Sequence, residues 1–417
     1  METQQRSGWR ARLSEAAQTG WVRSLAVLWI AQVIAELAFS FALPFIPLYV
    51  QELGVADVTQ AGIWAGAMAG GFALVMGLMG PVWGMVADRY GRRLMIQRAL
   101  FGACVIIGAM SLVQSPEQLL ALRLLQGAVT GVVAATSTVV SLMVPRQRLA
   151  SALGLMHAAL FVGTAAGPVL GGVVSDQFGF RAAFVATGAL FLVSGVLVTL
   201  FVPEPARDSA DVPGAAAAPG TGIRDLLARP EFLAVIGMMT IIRFAAVAPQ
   251  PILPLFIQQL AGDVATLATL TGVVVAATGV ASTVSALLVG QLADRYGRRR
   301  TLLVCLIAAG ALCAPQALVT SVWQLLLLRI ATGLALGGML PAVQALFTDL
   351  TPAGRRGMAF GILATANALG NGGGPVAGSL IAAGFGVPAV FLAMTPVFLA
   401  GAWLVTGLPR PSAGGRR

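Results

Sequence analysis

A ten-residue segment occurs twice in this chain, and the two copies are 206 residues apart. The copies are Gly84–Arg93, with the sequence GMVADRYGRR, and Gly290–Arg299, with the sequence GQLADRYGRR. Each copy lies between two long apolar segments, and Arg123 and Arg329 repeat at the same offset. A duplication this regular predicts two structurally equivalent halves, and the apolar flanks place both halves in a bilayer.

The composition indicates the class of protein. Of 417 residues, 58% are hydrophobic and 10% are charged, and the mean hydropathy is +0.87. A soluble domain has about 25% charged residues, so this chain lacks the polar surface that water requires. A spanning helix needs roughly 20 apolar residues, so twelve helices would use about 240 residues. We therefore predict an all-α integral membrane protein with twelve transmembrane helices.

The apolar segments group into two six-helix bundles that we expect to be related by pseudo-two-fold symmetry. The predicted spans are 24–50, 61–85, 94–113, 118–141, 149–175, 182–202, 232–258, 267–291, 301–319, 323–347, 357–383 and 387–407. This pattern divides the chain into an N-terminal segment (1–23), a first bundle (24–202), a linker (203–231), a second bundle (232–407) and a tail (408–417). The linker is rich in Pro, Ala, Gly and Asp, which is typical of flexible connections.

The basic residues are all arginine, 26 in number, and their positions predict the topology. Twenty-two of them lie in the terminal segments, in the linker or in alternate loops, whereas Arg181 lies on the opposite side. The positive-inside rule then places both termini in the cytoplasm. The pI near 11.2 therefore reflects membrane topology, and we expect no nucleic-acid partner.

Several functions are excluded by residues that the sequence lacks. Without lysine there is neither a Walker A loop nor a lysine Schiff base. The three cysteines all fall in apolar spans, and we interpret them as packing residues. His157 is the sole histidine and is either a hydrogen-bonded packing residue or a proton carrier. We expect no metal site, no cofactor and no enzymatic activity, because no ligand cluster or nucleophile–base pair is visible.

Glu36 lies near the middle of the first predicted span, where a carboxylate costs a few kcal/mol unless it is paired, hydrated or protonated. Gln32, Glu36 and Ser40 recur every four residues and so form one polar stripe on the helix. Because desolvation favours the neutral acid, Glu36 could exchange a proton near physiological pH. The alternative is a permanent ion pair between Glu36 and an intramembrane arginine.

Arg123 lies in the fourth predicted span and needs a hydrogen-bond acceptor, for which Glu36 is the natural candidate. At about 1.5 Å per residue, however, the two residues lie at different depths, so the pair would need a bridging water or a particular conformational state. Arg243 occupies the position equivalent to Glu36 in the second half. Because the duplication is otherwise preserved, the opposite charges at these two equivalent positions indicate a site on the axis that relates the two halves. Arg329, the copy of Arg123, has no obvious deep acid.

The repeated segments predict tight turns between helices at the cytoplasmic side. The first glycine would permit close helix approach, and the second would support the turn. We predict a cytoplasmic gate that can hold one arrangement of the bundles and release it in another. The alternative is a simple positive-inside anchor, which explains the arginines but leaves the acids and glycines unexplained. The predicted gate residues are Asp88, Arg89, Arg92, Arg93, Asp294, Arg295 and Arg298.

The fifth predicted span carries a glycine motif with glycines at i, i+4 and i+8 on one helix face and a proline that frees a carbonyl. The motif residues are Gly163, Gly167, Pro168, Gly171 and Gly172. Such a face is either a helix-packing surface or a bend used in conformational exchange.

We also predict a substrate cavity lined by polar and aromatic side chains from both halves. The candidate lining residues are Gln32, Phe39, Ser40, Phe161, Arg243, Gln250, Asn367 and Asn371.

These motifs together resemble the major facilitator superfamily over nearly the whole chain. The repeated segments resemble its loop signature, and Arg123 with Gln126-Gly127 resembles its fourth-helix motif. The glycine motif matches a pattern of the drug/proton antiporter group. Further similarity to the MdtG-type bacterial multidrug exporters lies in Leu43–Gly54, Pro254–Gly262 and Leu340–Gln344.

The resemblance implies a twelve-helix, multi-pass antiporter of the bacterial inner membrane that expels amphipathic drugs against entering protons by alternating access. We expect it to be a monomer. It also implies coupling by Arg123 and gating by Asp88 and Arg92. The second half departs from the pattern, because Thr332 stands opposite Gln126 and Ser379 replaces the second glycine.

Two other functions stay open at this point. The first is a facilitator or proton symporter for a metabolite such as a sugar, an organic anion or a lipid, in which Arg123 and Arg243 would bind substrate anions. The second is a membrane receptor that transports nothing, although polar stripes inside the helices argue against it.

Overall fold

The computed structural model describes residues 2–204, 229–262, 264–351 and 356–407. Every regular element in these ranges is helical, as the predicted all-α class requires. Within the helices, the side chains at 2–20, 88, 132–134, 138, 146, 150, 290, 291, 293, 294, 349, 350, 356–358 and 360 lie outside the described part of the structure. Most of the predicted linker lies outside the described residues.

The amino-terminal half is a series of long helices joined by short turns. Its described α-helices are α1 (Glu2–Phe41), α2 (Ile46–Glu52), α3 (Val58–Tyr90), α4 (Arg92–Met110), α5 (Pro116–Val129), α6 (Val132–Met143) and α7 (Leu149–Phe201). Short 3-10 helices at Leu43–Phe45 and Arg146–Arg148 precede α2 and α7. The backbone of α7 is non-helical only at Gly179, so the turn predicted between the fifth and sixth spans is a single residue.

The carboxy-terminal half repeats this order. Its described α-helices are α8 (Pro230–Val247), α9 (Leu253–Ala261), α10 (Leu267–Tyr296), α11 (Arg298–Gln316), α12 (Val322–Gly337), α13 (Met339–Leu350), α14 (Arg356–Phe385) and α15 (Val387–Gly407). The helices α10 and α14 are the equivalents of α3 and of the first part of α7.

Eight helical segments of the described chain are long and apolar enough to cross a membrane, and two of them, Trp21–Glu52 and Val322–Thr348, each join two of the helices named above. One of the eight, Ser151–Phe201, has 51 residues and contains two of the predicted spans. The described helices match the twelve predicted spans when α7 is divided at Gly179 and the pairs α1–α2, α5–α6, α8–α9 and α12–α13 are each joined end to end.

Four predicted spans are therefore broken rather than continuous. The breaks in the first and seventh spans coincide with Pro44 and Pro251, which have no N–H to donate. The break in the fourth span lies at Gly131, whose φ of 143° suits a residue without a side chain. The break in the tenth span lies at Gly338, between α12 and α13.

The apolar cores follow the duplication. One cluster of buried residues comes almost entirely from the first half, from Leu28 to Val202, and two clusters come from the second half. The halves meet along two helix pairs, α3 with α14 and α7 with α10. Small residues allow both contacts, since a Cβ atom at Gly70 would lie 2.5 Å from the carbonyl oxygen of Gly372.

Candidate transport cavity

A cavity of about 850 Å³ lies between the two halves. Its walls come from α1, α3, α7, α14 and the break between α5 and α6, and they are mostly apolar. The lining residues are Ala35, Glu36, Phe39, Leu74, Met76, Gly77, Leu78, Gly80, Pro81, Thr130, Gly131, Phe191, Gly361, Ala364, Thr365, Ala368 and Leu369.

The cavity lies toward one end of the molecule, which we name the arginine-rich end because the repeated segments turn there. The α3 lining residues, 74–81, lie between the middle of α3 and its last residue, Tyr90. The α14 lining residues, 361–369, follow the start of that helix. Past the cavity, at the opposite end, the halves pack tightly: a Cβ atom at Gly66 would lie 2.8 Å from the carbonyl oxygen of Pro375.

Glu36, predicted as a proton-coupling residue, is a lining residue of this cavity. Its Oε1 accepts a hydrogen bond of 2.9 Å from Nε2 of Gln32, one helical turn earlier. Among the described residues, no arginine forms an ion pair with Glu36. The static ion pair that the sequence left open is therefore not formed in this structure, and the carboxylate faces the cavity.

Arg123 is buried and finds its partners close by in sequence and space. Its Nη1 donates to Oε1 of Gln126 at 2.5 Å, and the guanidinium carbon lies 4.6 Å from the ring centroid of Phe72. The Phe72 ring is 5.9 Å from the ring of Phe39, which lines the cavity. Arg123 thus reaches the cavity wall through two aromatic rings. No direct contact between Arg123 and Glu36 is described, which agrees with the different depths that the sequence assigned to them.

The other predicted lining residues fall into different places. Gln32 and His157 border a small separate recess together with Thr136 and Ser137. Ser40 packs against α7, Phe161 is partly exposed on α7, and Gln250 is exposed in the break between α8 and α9. None of these side chains borders the large cavity in the described part of the chain.

Arg243 occupies, in the second half, the position that Glu36 occupies in the first half. A Cβ atom at Gly370 would lie 2.7 Å from Cβ of Arg243, just as one at Gly163 would lie 2.5 Å from Cβ of Glu36. The buried Nε of Arg243 and the buried Oδ1 of Asn367 both lack hydrogen-bond partners among the described residues. Asn371 is half-buried one turn further along α14.

The glycine motif of α7 serves two interfaces. Gly163, Gly167 and Gly171 face α1, and a Cβ atom at Gly167 would lie 2.7 Å from the carbonyl oxygen of Leu37. Gly172 and the carbonyl of Pro168 face α10 in the other half, where they approach Ala268 and Gly272. The motif therefore packs α7 within its own bundle and also between the bundles.

Comparison with known proteins decides the family. The sequence family described as the Major Facilitator Superfamily matches residues 28–272 and 238–417. This chain belongs to the major facilitator superfamily.

The curated relatives of this superfamily member include multidrug resistance proteins of enterobacteria. It is 33% identical over 395 residues to "Multidrug resistance protein MdtG" of Dickeya zeae (strain Ech586), covering 94% of this chain and 95% of that protein. It is 34% identical over 385 residues to the protein of the same name from Serratia proteamaculans (strain 568), covering 91% and 92% of the two chains.

Solved structures of transporters share the fold. A bacterial homologue of the human lysosomal transporter Spinster, in an inward-facing and occupied conformation, superposes with a TM-score of 0.77 at 17% identity and covers 92% of this chain and 95% of that one. The human organic anion transporter MFSD10 gives a TM-score of 0.63 at 18% identity and covers 92% and 99%. At this level of identity, both comparisons establish the fold alone.

The repeated segments of this superfamily member form the predicted turns. Gly91 and Gly297 separate consecutive helices with φ angles of 104° and 95°, a region in which glycine is favoured. The predicted close approach at the first glycine is absent at Gly84, since a Cβ atom there would meet nothing within 4 Å. At the arginine-rich end α3 therefore faces open space.

One arginine in each repeated segment donates hydrogen bonds to another helix of its own bundle. Arg93 donates to the carbonyl oxygen of Thr199 in the last turn of α7. Arg299 donates to the carbonyl oxygens of Val405 and Thr406, at 3.0 and 2.6 Å, in the last turn of α15. A cation at a helix C-terminus satisfies free carbonyl groups and opposes the negative end of the helix dipole. Both contacts stay within one half.

The remaining gate candidates have different surroundings. The guanidinium groups of Arg89 and Arg295 lie over the rings of Tyr90 and Tyr296, at 5.5 and 5.6 Å. The backbone N–H of Arg92 donates to Oε1 of Glu204 at 2.9 Å, and Nη1 of Arg298 donates to the carbonyl oxygen of Ala345 at 3.5 Å. The side chains of Asp88 and Asp294 lie outside the described residues, so the gate stays a prediction.

Sequence reasoning missed two residues. Phe72 connects Arg123 to the cavity wall, but nothing in its sequence surroundings distinguishes it from other membrane aromatics. Asp176, the residue directly after the fifth predicted span, contacts the other half directly. An acid four residues after the glycine motif was the available signal for it.

Proposed function

We propose that this chain is a proton-coupled antiporter that exports hydrophobic or amphipathic small molecules by alternating access. The observation that carries the proposal is the position of Glu36: a carboxylate with a single amide hydrogen bond and no described ion pair, in the wall of a large apolar cavity. The relatives named multidrug resistance proteins support the same function.

Proton exchange at Glu36 follows from the cost of a charge in this environment. An unpaired carboxylate near the bilayer centre is disfavoured by a few kcal/mol, so the neutral acid is held until water or a partner reaches it. Arg123 contacts Phe72, whose ring packs against the lining residue Phe39, and the proposed role of Arg123 is to supply the positive potential that helps to release the proton. Glu36 and Arg123 are therefore the proposed coupling pair.

The proposed substrates follow from the cavity walls. Leucine, methionine, phenylalanine, alanine and proline side chains provide most of the lining, and polar groups are few. Such pockets bind apolar bodies with little demand for specific hydrogen bonds. A volume of about 850 Å³ is within the range of small-molecule sites.

We propose that both termini and the arginine-rich end face the cytoplasm of a bacterial inner membrane, because 22 of the 26 arginines lie on that side. The cavity then opens inward, and the packed opposite end faces outward. The proposed domains are the two six-helix bundles, 24–202 and 232–407, with the segments and linker described above, and we propose a monomer as the working unit.

The driving force is adequate for export. One charge moved inward yields about 2.3 kcal/mol per 100 mV of membrane potential. At about 1.4 kcal/mol per decade, this sustains roughly a fifty-fold gradient of a neutral substrate.

Glu36→Gln tests the coupling. In proteoliposomes with an imposed pH gradient, we expect the variant to lose proton-driven substrate movement at least tenfold, because its amide cannot carry a proton. Binding of a fluorescent amphipathic drug to the purified variant should persist. The control Glu52→Gln replaces an exposed acid at the end of α2 and should transport normally. Unchanged transport by Glu36→Gln excludes Glu36 as the coupling site.

A second candidate function is that of a facilitator or proton symporter for an organic anion. Arg243 favours it, because its buried Nε has no hydrogen-bond partner among the described residues and neither does the buried Oδ1 of Asn367. The same proteoliposomes separate the two functions. An exporter moves substrate against the proton flow, whereas a symporter moves it with the proton flow.

A further inference from the structure

Asp176, in α7, is hydrogen-bonded to the other half of the molecule. Its Oδ1 accepts from the backbone N–H of Ala268 at 2.9 Å. Its Oδ2 accepts from the backbone N–H of Thr269 at 2.8 Å and from the hydroxyl of Thr269 at 2.6 Å. Ala268 and Thr269 belong to the first turn of α10, so one carboxylate makes three bonds between the two bundles.

This geometry is that of a helix N-cap, supplied by a distant residue. In the equivalent helix α3, the preceding residue Asp57 accepts from the N–H groups of Thr59 and Gln60, both at 3.2 Å. Those are the second and third residues of α3, as Ala268 and Thr269 are of α10. The helix of the first half is therefore capped from within its own chain segment, and that of the second half is capped by the first half.

The surroundings of Asp176 place these bonds at a contact that conformational change must open. Gly172 and Pro168, one and two turns earlier in α7, pack against the backbone of α10 at Ala268 and Gly272. The pseudo-symmetric contact between α3 and α14 has no comparable polar bond in the described residues. There Ser379 meets Gly66, and the Ser379 hydroxyl is buried without a partner.

We propose that Asp176 is a latch that holds the opposite end closed and sets the ratio between the two states of the transport cycle. Opening that end separates α7 from α10, which breaks the three bonds and leaves two N–H groups of α10 uncapped. Asp176 acts through α10 and touches no substrate, so it is a positioning residue. The proposal rests on alternating access between the halves and is independent of proton coupling and of the substrate.

A distance measurement across the opposite end tests the latch. Spin labels are attached at Leu112→Cys and Leu318→Cys, two exposed positions that follow α4 and α11, in the full chain in lipid nanodiscs. The native Cys104, Cys305 and Cys313 are replaced by alanine. We expect Asp176→Ala to raise the ratio of long to short label distances about five- to tenfold, the effect of losing a helix cap with an added hydroxyl bond.

Two controls separate a latch from ordinary helix capping. Asp57→Ala removes a cap of the same geometry within one half and should leave the distance ratio unchanged. Thr266→Asp, added to Asp176→Ala, gives α10 a cap from its own preceding residue. Thermal stability should then recover, while the long-distance population should persist, because the bundles are still unlinked.

The proposal is overturned if Asp176→Ala leaves the label distances unchanged, if Asp57→Ala shifts them equally, or if Thr266→Asp restores them. Should Asp176→Ala fail to fold, Thr269→Val provides the test. It removes one of the three bonds and leaves both backbone bonds in place, so we expect a smaller shift in the same direction. An unshifted distribution for Thr269→Val would then refute the latch. Because no substrate or gradient is present, failure of the antiport proposal leaves this result unaffected.

Discussion

At the scale of single residues, Glu36 and Arg123 are each partnered by a neutral side chain of their own helix. Glu36 accepts from Gln32 four residues earlier, and Arg123 donates to Gln126 three residues later. Both spacings bring side chains together on one helix face. A charge held by a neutral neighbour keeps its freedom to attract a proton or an opposite charge when the cavity changes.

Gln126→Ala should destabilise the protein, because Arg123 would lose its only described hydrogen-bond acceptor while remaining buried. We expect a loss of about 1–3 kcal/mol, measured as a lower thermal unfolding midpoint in detergent. The control Gln118→Ala changes an exposed glutamine in the same helix, α5, and should alter the midpoint little. Equal midpoints for the two variants would show that the Arg123–Gln126 bond contributes nothing measurable.

At the scale of helices, glycines decide how closely α7 approaches its neighbours. A Cβ atom at Gly163 or Gly167 would meet the backbone of α1 within 2.7 Å. At Gly171 the carbonyl oxygen of Phe41 is closer still. Real side chains do not occupy such positions, so any larger residue must push the two helices apart. The glycine motif of the sequence thus forms a surface that fixes the distance between α1 and α7.

Gly171→Ala should lower both the unfolding midpoint and the transport rate, since the added methyl group forces α7 away from α1. Overpacking of this kind costs about 1–3 kcal/mol. Gly154→Ala is the matched control, because it lies in the same helix and its added Cβ would meet nothing within 4 Å. Gly154→Ala should be neutral or slightly stabilising. A tolerated Gly171→Ala would mean that the α1–α7 contact adjusts freely.

At the scale of the whole molecule, the two halves are equivalent in outline and different in detail. The second half carries Arg243 where the first carries Glu36, and Ser379 where the first carries Gly172. The halves are packed together at the opposite end and enclose a cavity toward the arginine-rich end. This arrangement is one of the two states that alternating access requires.

Cysteine labelling should detect this arrangement in membranes. In a background without native cysteines, Thr365→Cys lies in the cavity wall and should react with a membrane-impermeant maleimide only from the cytoplasmic side. Leu318→Cys, an exposed position at the opposite end, should react only from the outer side. Inside-out and right-side-out vesicles provide the two measurements. Reversed labelling of both positions would refute the proposed orientation.

Much of the architecture was predictable because its signals are local in the sequence. Apolar runs of about 20 residues predict spanning helices, and the spacing of the repeated segments predicts two halves. The turns at Gly91 and Gly297 followed from glycine within a repeated motif. The breaks at Gly131 and Gly338 were not predicted, because one glycine in an apolar helix is usually tolerated.

The sequence by itself determined the membrane class, the duplication, the family resemblance and the position of a carboxylate, Glu36, within an apolar span. Only the tertiary structure decided that Arg123 bonds to Gln126 rather than Glu36, that Glu36 borders the cavity, and that Asp176 caps a helix of the other half. The physical reason is geometric. Composition and periodicity fix what each helix is, whereas contacts between side chains depend on the depth and rotation of packed helices, which distant residues set together.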